Sequence, residues 1–170
     1  GGLIGLGTSP VSTRRCLRRV GSGTGTASSS ASVYGCCGRV KIAFFGAGLM
    51  GTGFVRRALA NGHQVHVWNR SGAKARALEA HGAKAFDDAA AALAGVERIH
   101  LSLADDASVD AVLEPLAAQI AASQWIVDHT TTAVRPTAER VARWDARGRV
   151  FMHAPVFMAP SNWAEGTGLM

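Results

Sequence analysis

From residue 40 onward the apolar positions follow two alternating rhythms. Val40 to Phe45 is a short apolar run, and Met50, Phe54, Ala58 and Leu59 follow it at helical spacing. Asn61-Gly62 stops that helix, and His63 to Asn69 alternates as a half-buried strand. Ser71 can cap a second helix that runs through Ala77, Leu78 and Ala80 to Gly82. A short strand at Lys84 to Phe86 precedes an Ala-rich helix opened by Asp87 or Asp88 and closed near Gly95. Arg98 to Leu103 reads as a strand, and Val109, Val112, Leu113 and Leu116 mark another helix. Trp125 to Asp128 is the fifth main strand, a helix spans roughly 136–147, and Val150 to Met152 is the last strand. Strands alternating with helices predict an α/β fold with a doubly wound, mainly parallel sheet covered on both faces.

The first forty residues break this pattern. They are rich in Gly, Ser, Thr and Ala, and only small and polar residues occur between Gly21 and Ser32, so no face there can bury against a core. We therefore expect residues 1–38 to be a disordered extension and residues 39–170 to form the folded domain. The net charge of +6 is concentrated in the extension: Arg14, Arg15, Arg18, Arg19 and Arg39 precede the first acidic residue. Residues 41–170 carry only about +1, which argues against a general nucleic-acid footprint on the folded part. Arginine and serine without acids also fit an organelle transit peptide, which would send the protein to mitochondria or another organelle; otherwise the cytoplasm is expected. Another reading takes the arginines of residues 14–19 as a nucleic-acid or membrane-surface patch. Cys16, Cys36 and Cys37 make neither a disulfide framework nor a zinc site, and no apolar run is long enough to span a membrane.

The stretch that organises the chain is Gly46-Ala47-Gly48-Leu49-Met50-Gly51, which joins the first strand to the first helix. In such a turn the first glycine allows the tight exit, the second lets backbone approach a pyrophosphate, and the third lets helix pack on strand. The helix start then presents free N–H groups and a positive dipole end to the phosphates. Gly2 to Gly7 mimics the spacing, but no helical pattern follows it.

Coenzyme preference is written at the end of the second strand. A site for NAD usually has Asp or Glu there to bind the ribose hydroxyls. Here the position holds Asn69, followed by Arg70, Ser71 and, one helical turn on, Lys74. No carboxylate repels a 2′-phosphate, while Arg70 offers a planar fork, Ser71 a hydroxyl and Lys74 a point charge. NADP(H) is expected, with NAD(H) as the alternative.

These residues, together with Asn61-Gly62-His63, Val67 to Ser71, Gly82-Ala83, Leu103-Ala104-Asp105, Asp128 to Thr131 and Ala154-Pro155-Val156, occur in an order and at separations that resemble the N-terminal half of the β-hydroxyacid dehydrogenases. That group includes 3-hydroxyisobutyrate dehydrogenase, 6-phosphogluconate dehydrogenase and the glyoxylate/succinic semialdehyde reductases. The resemblance covers about residues 40–170 and implies a Rossmann-type domain. It also implies that the glycine turn binds pyrophosphate and that Asn69, Arg70, Ser71 and Lys74 surround the adenosine ribose. Leu103, Ala104 and Asp105, with Ser108, would lie against the coenzyme, and Thr131 would face its nicotinamide side.

Two departures from the family pattern matter. The usual Ser-Gly-Gly of the substrate loop is replaced by Phe157-Met158-Ala159, which removes a hydroxyl donor and suggests a less polar substrate, unless Phe157 and Met158 simply pack in the core. The family's catalytic lysine lies on a helix beyond the Rossmann domain, in the helical domain that also forms the dimer. The present sequence runs to Met170 without it, so no catalytic residue is assigned here, and homo-oligomerisation is expected only of a protein that has that domain. The six histidines show no metal-ligand spacing, and the pairs Asp87-Asp88 and Asp105-Asp106 each precede a helix, where capping accounts for them. The expected function is hydride transfer between a nicotinamide coenzyme and a 3-hydroxyacid or a small aldehyde or keto acid, a small-molecule substrate with no nucleic acid or membrane involved. The alternative is a non-catalytic dinucleotide-binding or interaction module.

Overall fold

The computed structural model describes residues 38–157, 159 and 162. Readings that fall on residues 1–37, on Met158 or on residues 163–170 lie outside the described residues. From Arg39 on, the described chain belongs to one compact unit.

Six strands form one parallel sheet: β1 (Lys41–Phe45), β2 (Gln64–Trp68), β3 (Lys84–Phe86), β4 (Arg98–Leu101), β5 (Trp125–Asp128) and β6 (Val150–His153). Their order is β3-β2-β1-β4-β5-β6, and every neighbouring pair is parallel. The helices are α1 (Leu49–Ala60), α2 (Gly72–Arg76) continued by a 3-10 turn over Ala77–His81, α3 (Ala89–Ala92), α4 (Asp106–Leu113) and α5 (Val134–Ala146). The strand order reverses between β1 and β4, the switch point of a Rossmann-type fold.

Alternation along β1 divides the core. Ile42 and Phe44 join Val55 and Ala58 of α1, Val65 and Val67 of β2, and Leu78. Ala43 and Phe45 face the other way, with Ile99, Leu101, Val109, Leu113, Ile126, Trp144 and Phe151. A sheet buried on both faces by helices suits strands that are apolar on both sides, as β1 is.

The exit from β1 is the tightest place in the fold. Gly46 has φ +105°, and a Cβ there would strike Ser102 O and come within 3.0 Å of Leu103 Cδ2. A Cβ on Gly51 would strike Gly46 O and lie 2.9 Å from the Phe44 ring. α1 therefore packs through Gly51, Gly53, Val55 and Ala58, while Met50 and Phe54 are only partly buried at its flank. Of the expected stripe, Ala58 is buried and Phe54 and Leu59 pack against the same core, while the glycine face makes the closest contact.

Several local expectations are corrected. Ser71 stands at the N-cap of α2, but its side chain makes no cap hydrogen bond. Asp88 alone caps α3, accepting from the Ala90 and Ala91 amides, while Asp87 pairs with Arg76. Asp105 caps α4 by accepting from the Ser108 amide at 2.8 Å. Asp106 does something else: it accepts from Arg140 at 3.0 Å and, through its second oxygen, from the Ala133 amide at 3.0 Å. Arg140 is fully buried and also reaches Asp110 at 2.7 Å, so one guanidinium ties α5 to the start and middle of α4. Those hydrogen bonds hold the Asp110 carboxyl below its usual range.

Gly51→Ala should destabilise the domain by roughly 2–3 kcal/mol, because backbone rather than a flexible side chain occupies the space. Arg140→Met should cost about as much, less than a fully buried pair because both carboxylates keep contact with water. Urea midpoints of the two variants against the parent check both values.

Candidate functional site

At the carboxyl ends of β1, β2 and β4 the chain encloses an open cavity of about 810 Å³. Its walls come from three strand-to-helix turns. The β1–α1 turn contributes Gly46, Gly48, Leu49 and Met50, and the β2–α2 turn contributes Asn69, Arg70, Ser71 and, from α2, Lys74. The third turn, between β4 and α4, supplies Leu103, Ala104 and Asp105, with Ser108 on the helix. Twelve residues singled out in the sequence thus lie on one cavity. Trp68, Ser102, Ala107, Ala111 and Val112 also line it and were not foreseen. Ala107 and Ala111 stand one α4 turn apart, and the helical spacing of that segment could have suggested them.

Each wall has a distinct character. A Cβ at Gly48 would meet nothing within 4 Å, so the space over this glycine is left open by the chain itself. α1 starts at that point with no side-chain cap and no acidic residue in its first turn. Its first N–H groups therefore face the cavity without a protein acceptor, the usual condition for anion binding. Arg70, Ser71 and Lys74 are exposed on the rim, and among the described residues neither Arg70 nor Lys74 forms an ion pair. On the opposite wall, the Ser108 hydroxyl and amide hold the Asp105 carboxyl below its usual range, and the charge of Arg70 adds to this.

The remaining sequence candidates fall elsewhere. Ala47 is buried behind the turn, and its amide donates to Asn69 Oδ1 at 3.0 Å. Gly51 serves packing. Thr131 is exposed and outside the cavity; Thr130 is the buried residue of that turn, and its Oγ1 accepts from the Leu103 amide at 3.0 Å. The Thr130 amide in turn donates to Asp128 Oδ1 at 2.9 Å. Phe157 is 76% exposed, which excludes it from the core, and Ala159 donates its amide to Asn162; neither lines the cavity.

A family model described as the NAD binding domain of 6-phosphogluconate dehydrogenase matches residues 41–170. The chain belongs to the β-hydroxyacid dehydrogenase family. Its structure is similar to 3-hydroxyisobutyrate dehydrogenase of Mycobacterium tuberculosis, with TM-score 0.71 and 25% identity over 75% of this chain and 44% of that one. It is also similar to a reductive aminase from Aspergillus terreus solved with NADPH and ethyl-5-oxohexanoate, with TM-score 0.67 and 28% identity over 74% and 43% of the two chains. The cytokine-like nuclear factor N-PAC of Homo sapiens is 32% identical over 146 residues, 83% of this chain and 26% of that protein. The chain spans less than half the length of the proteins it matches. The β-hydroxyacid dehydrogenase family assigns the cavity's fold to its N-terminal, nicotinamide-nucleotide-binding domain.

Beside the cavity of this β-hydroxyacid dehydrogenase domain lies a pair of histidines that sequence spacing did not connect. His100 and His129 are both buried, and their rings meet through Nδ1 of His100 and Nε2 of His129 at 2.9 Å. His129 Nδ1 lies 2.9 Å from Ala154 O, which can only accept, so this nitrogen carries the proton. His129 Nε2 then accepts from His100 Nδ1, and His100 Nε2 is left as a buried lone pair without a partner. Phe44 and Phe54 close the aromatic surroundings. Burial, and then the neighbouring His129, pushes His100 down to about 3, and burial also lowers His129.

Unfolding returns these imidazoles to the ordinary value near 6.5. The unfolded chain then binds more protons than the folded one at any pH between about 6.5 and about 3, so stability falls as the pH drops through that window. His66, lowered by burial, acts in the same direction. Asp128, raised by burial, acts oppositely from its unfolded value upward, so the comparison needs a variant. His100→Leu should flatten the decline by up to one proton between pH 6.5 and 4, read as Tm against pH. An unchanged slope would assign the acid sensitivity to other groups.

Proposed function

We propose that the chain is the NADP(H)-binding domain of an oxidoreductase that moves hydride between the nicotinamide and a 3-hydroxyacid or a small aldehyde or keto acid. The observation that carries the coenzyme preference is the rim at the end of β2. Arg70, Ser71 and Lys74 stand exposed on the cavity, and Asn69 occupies the place where an NAD site has a carboxylate.

The residues fit a dinucleotide. The open space over Gly48 and the uncapped start of α1 would take the pyrophosphate, and the N–H groups of Leu49 and Met50 are its donors. Arg70, Ser71 and Lys74 would hold a 2′-phosphate through charge-assisted hydrogen bonds. The bound coenzyme supplies the hydride chemistry. The chain's part is binding and orientation: Leu103, Ala104, Ala111 and Val112 form an apolar wall for the base and ribose faces. The reductive aminase with NADPH supports the coenzyme class, and the 3-hydroxyisobutyrate dehydrogenase supports the hydroxyacid class. N-PAC, a relative named as a nuclear factor rather than as an oxidoreductase, supports a second reading, a non-catalytic dinucleotide-binding or interaction module.

NADPH should bind the 170-residue chain more tightly than NADH. Arg70→Ala should weaken NADPH by about 1.5–2 kcal/mol, roughly ten- to thirtyfold, the worth of a charge-assisted phosphate contact on an exposed rim, and leave NADH within twofold. Fluorescence titration of both coenzymes reads this. Equal affinities that Arg70→Ala does not alter would refute the preference. Oxidation of NADPH by the natural full-length protein, offered small aldehydes and keto acids, separates the enzyme from the binding module.

A further inference from the structure

Asn69 lines the coenzyme cavity, but its side chain is committed to the protein at both ends. Oδ1 accepts from the Ala47 amide at 3.0 Å, across to the glycine turn. Nδ2 donates to Ser71 O at 3.0 Å, along its own turn. No other side chain among the described residues joins the two turns by a hydrogen bond. The geometry points to Asn69 as a positioning residue that fixes the separation between the pyrophosphate end and the 2′-phosphate end of the site, rather than as a ligand of the ribose. The inference rests on the coenzyme reading above.

Two consequences follow from which atoms are engaged. The Ala47 N–H is spent on Asn69, so phosphate must be bound by amides further along, at Gly48, Leu49 and Met50. The choice of an amide over a carboxylate is also explained locally. An aspartate could accept from Ala47 equally well, but its second oxygen would face the carbonyl of Ser71, acceptor against acceptor. Only an amide satisfies both turns at once, and it does so without a negative charge beside Arg70 and Ser71. Loop spacing is thereby set by a side chain that leaves the rim's charge for a 2′-phosphate intact.

The two roles differ in what a truncation does. A ribose or phosphate ligand, once removed, weakens whichever coenzyme it touches most. A positioning tie, once removed, loosens the turn for both. Asn69→Ala should weaken NADPH and NADH by the same factor, three- to tenfold, the range of one lost neutral hydrogen bond, and leave their ratio unchanged. Asn69→Asp keeps the acceptor for Ala47, so NADH should fall by no more than about threefold while NADPH falls further. Amide hydrogen exchange gives an independent reading without any coenzyme: the Ala47 amide should be protected in the parent and in Asn69→Asp, and exchange faster in Asn69→Ala. Loss of NADPH binding alone in Asn69→Ala, or an Ala47 amide that exchanges equally in all three proteins, would overturn the proposal. If the parent bound neither coenzyme, the function proposed above would fail, and the exchange rates would still decide the tie.

Discussion

Everything at this site depends on how closely α1 approaches the end of β1. Gly46 leaves the strand with a positive φ, and Gly51 lies against its carbonyl, so the two backbones touch where side chains would otherwise keep them apart. This contact brings the uncapped first turn of α1 directly over the sheet's switch point. A helix start displaced by even one methyl group would aim its N–H groups elsewhere. The same contact explains why the large apolar residues of α1 sit at its flank, where Phe54 packs on Phe44 with ring centroids 4.7 Å apart.

The other two walls are held by polar ties that cross between elements. Asn69 joins the turns after β1 and β2, and Thr130 receives the Leu103 amide, joining the turns after β4 and β5. Behind them Arg140, buried against Asp106 and Asp110, fixes α4 and with it the position of Ala107, Ser108 and Ala111 on the cavity. These links convert a set of loops into a fixed frame, and each uses a donor or acceptor that the backbone alone would leave unsatisfied. The cavity is therefore preformed in the chain, with its charges on one rim and its apolar wall opposite.

The histidine pair is a different kind of element. It occupies the face of the sheet covered by α1, where β4 and β5 would otherwise offer aliphatic residues, and it links the turn after β5 to the chain leaving β6 through Ala154. Two neutral imidazoles in a hydrogen-bonded row satisfy three of their four ring nitrogens. The fourth is the cost, and the depressed basicity of His100 is its signature.

The alternation of strands and helices, the glycine turn, and the run Asn69 to Lys74 that bears on coenzyme preference were all legible along the chain. Those features are local: periodicity, turn chemistry and capping are written within a few residues of where they act. The sequence also carried the family, because several such local signals stand at the right separations. What it did not carry were side-chain destinations across the sheet. Asp105 and Asp106 look alike as neighbours, yet one caps a helix and the other serves a buried arginine more than thirty residues away. Ala47 and Asn69 both read as ligands, although the Ala47 amide donates to Asn69 Oδ1 and Asn69 Nδ2 donates to Ser71 O. Thr130, not singled out in the sequence, is the residue of its turn that is buried and tied to the Leu103 amide. In each case the partner is remote in the chain, so only the tertiary structure, which sets the distance between remote donors and acceptors, could decide it.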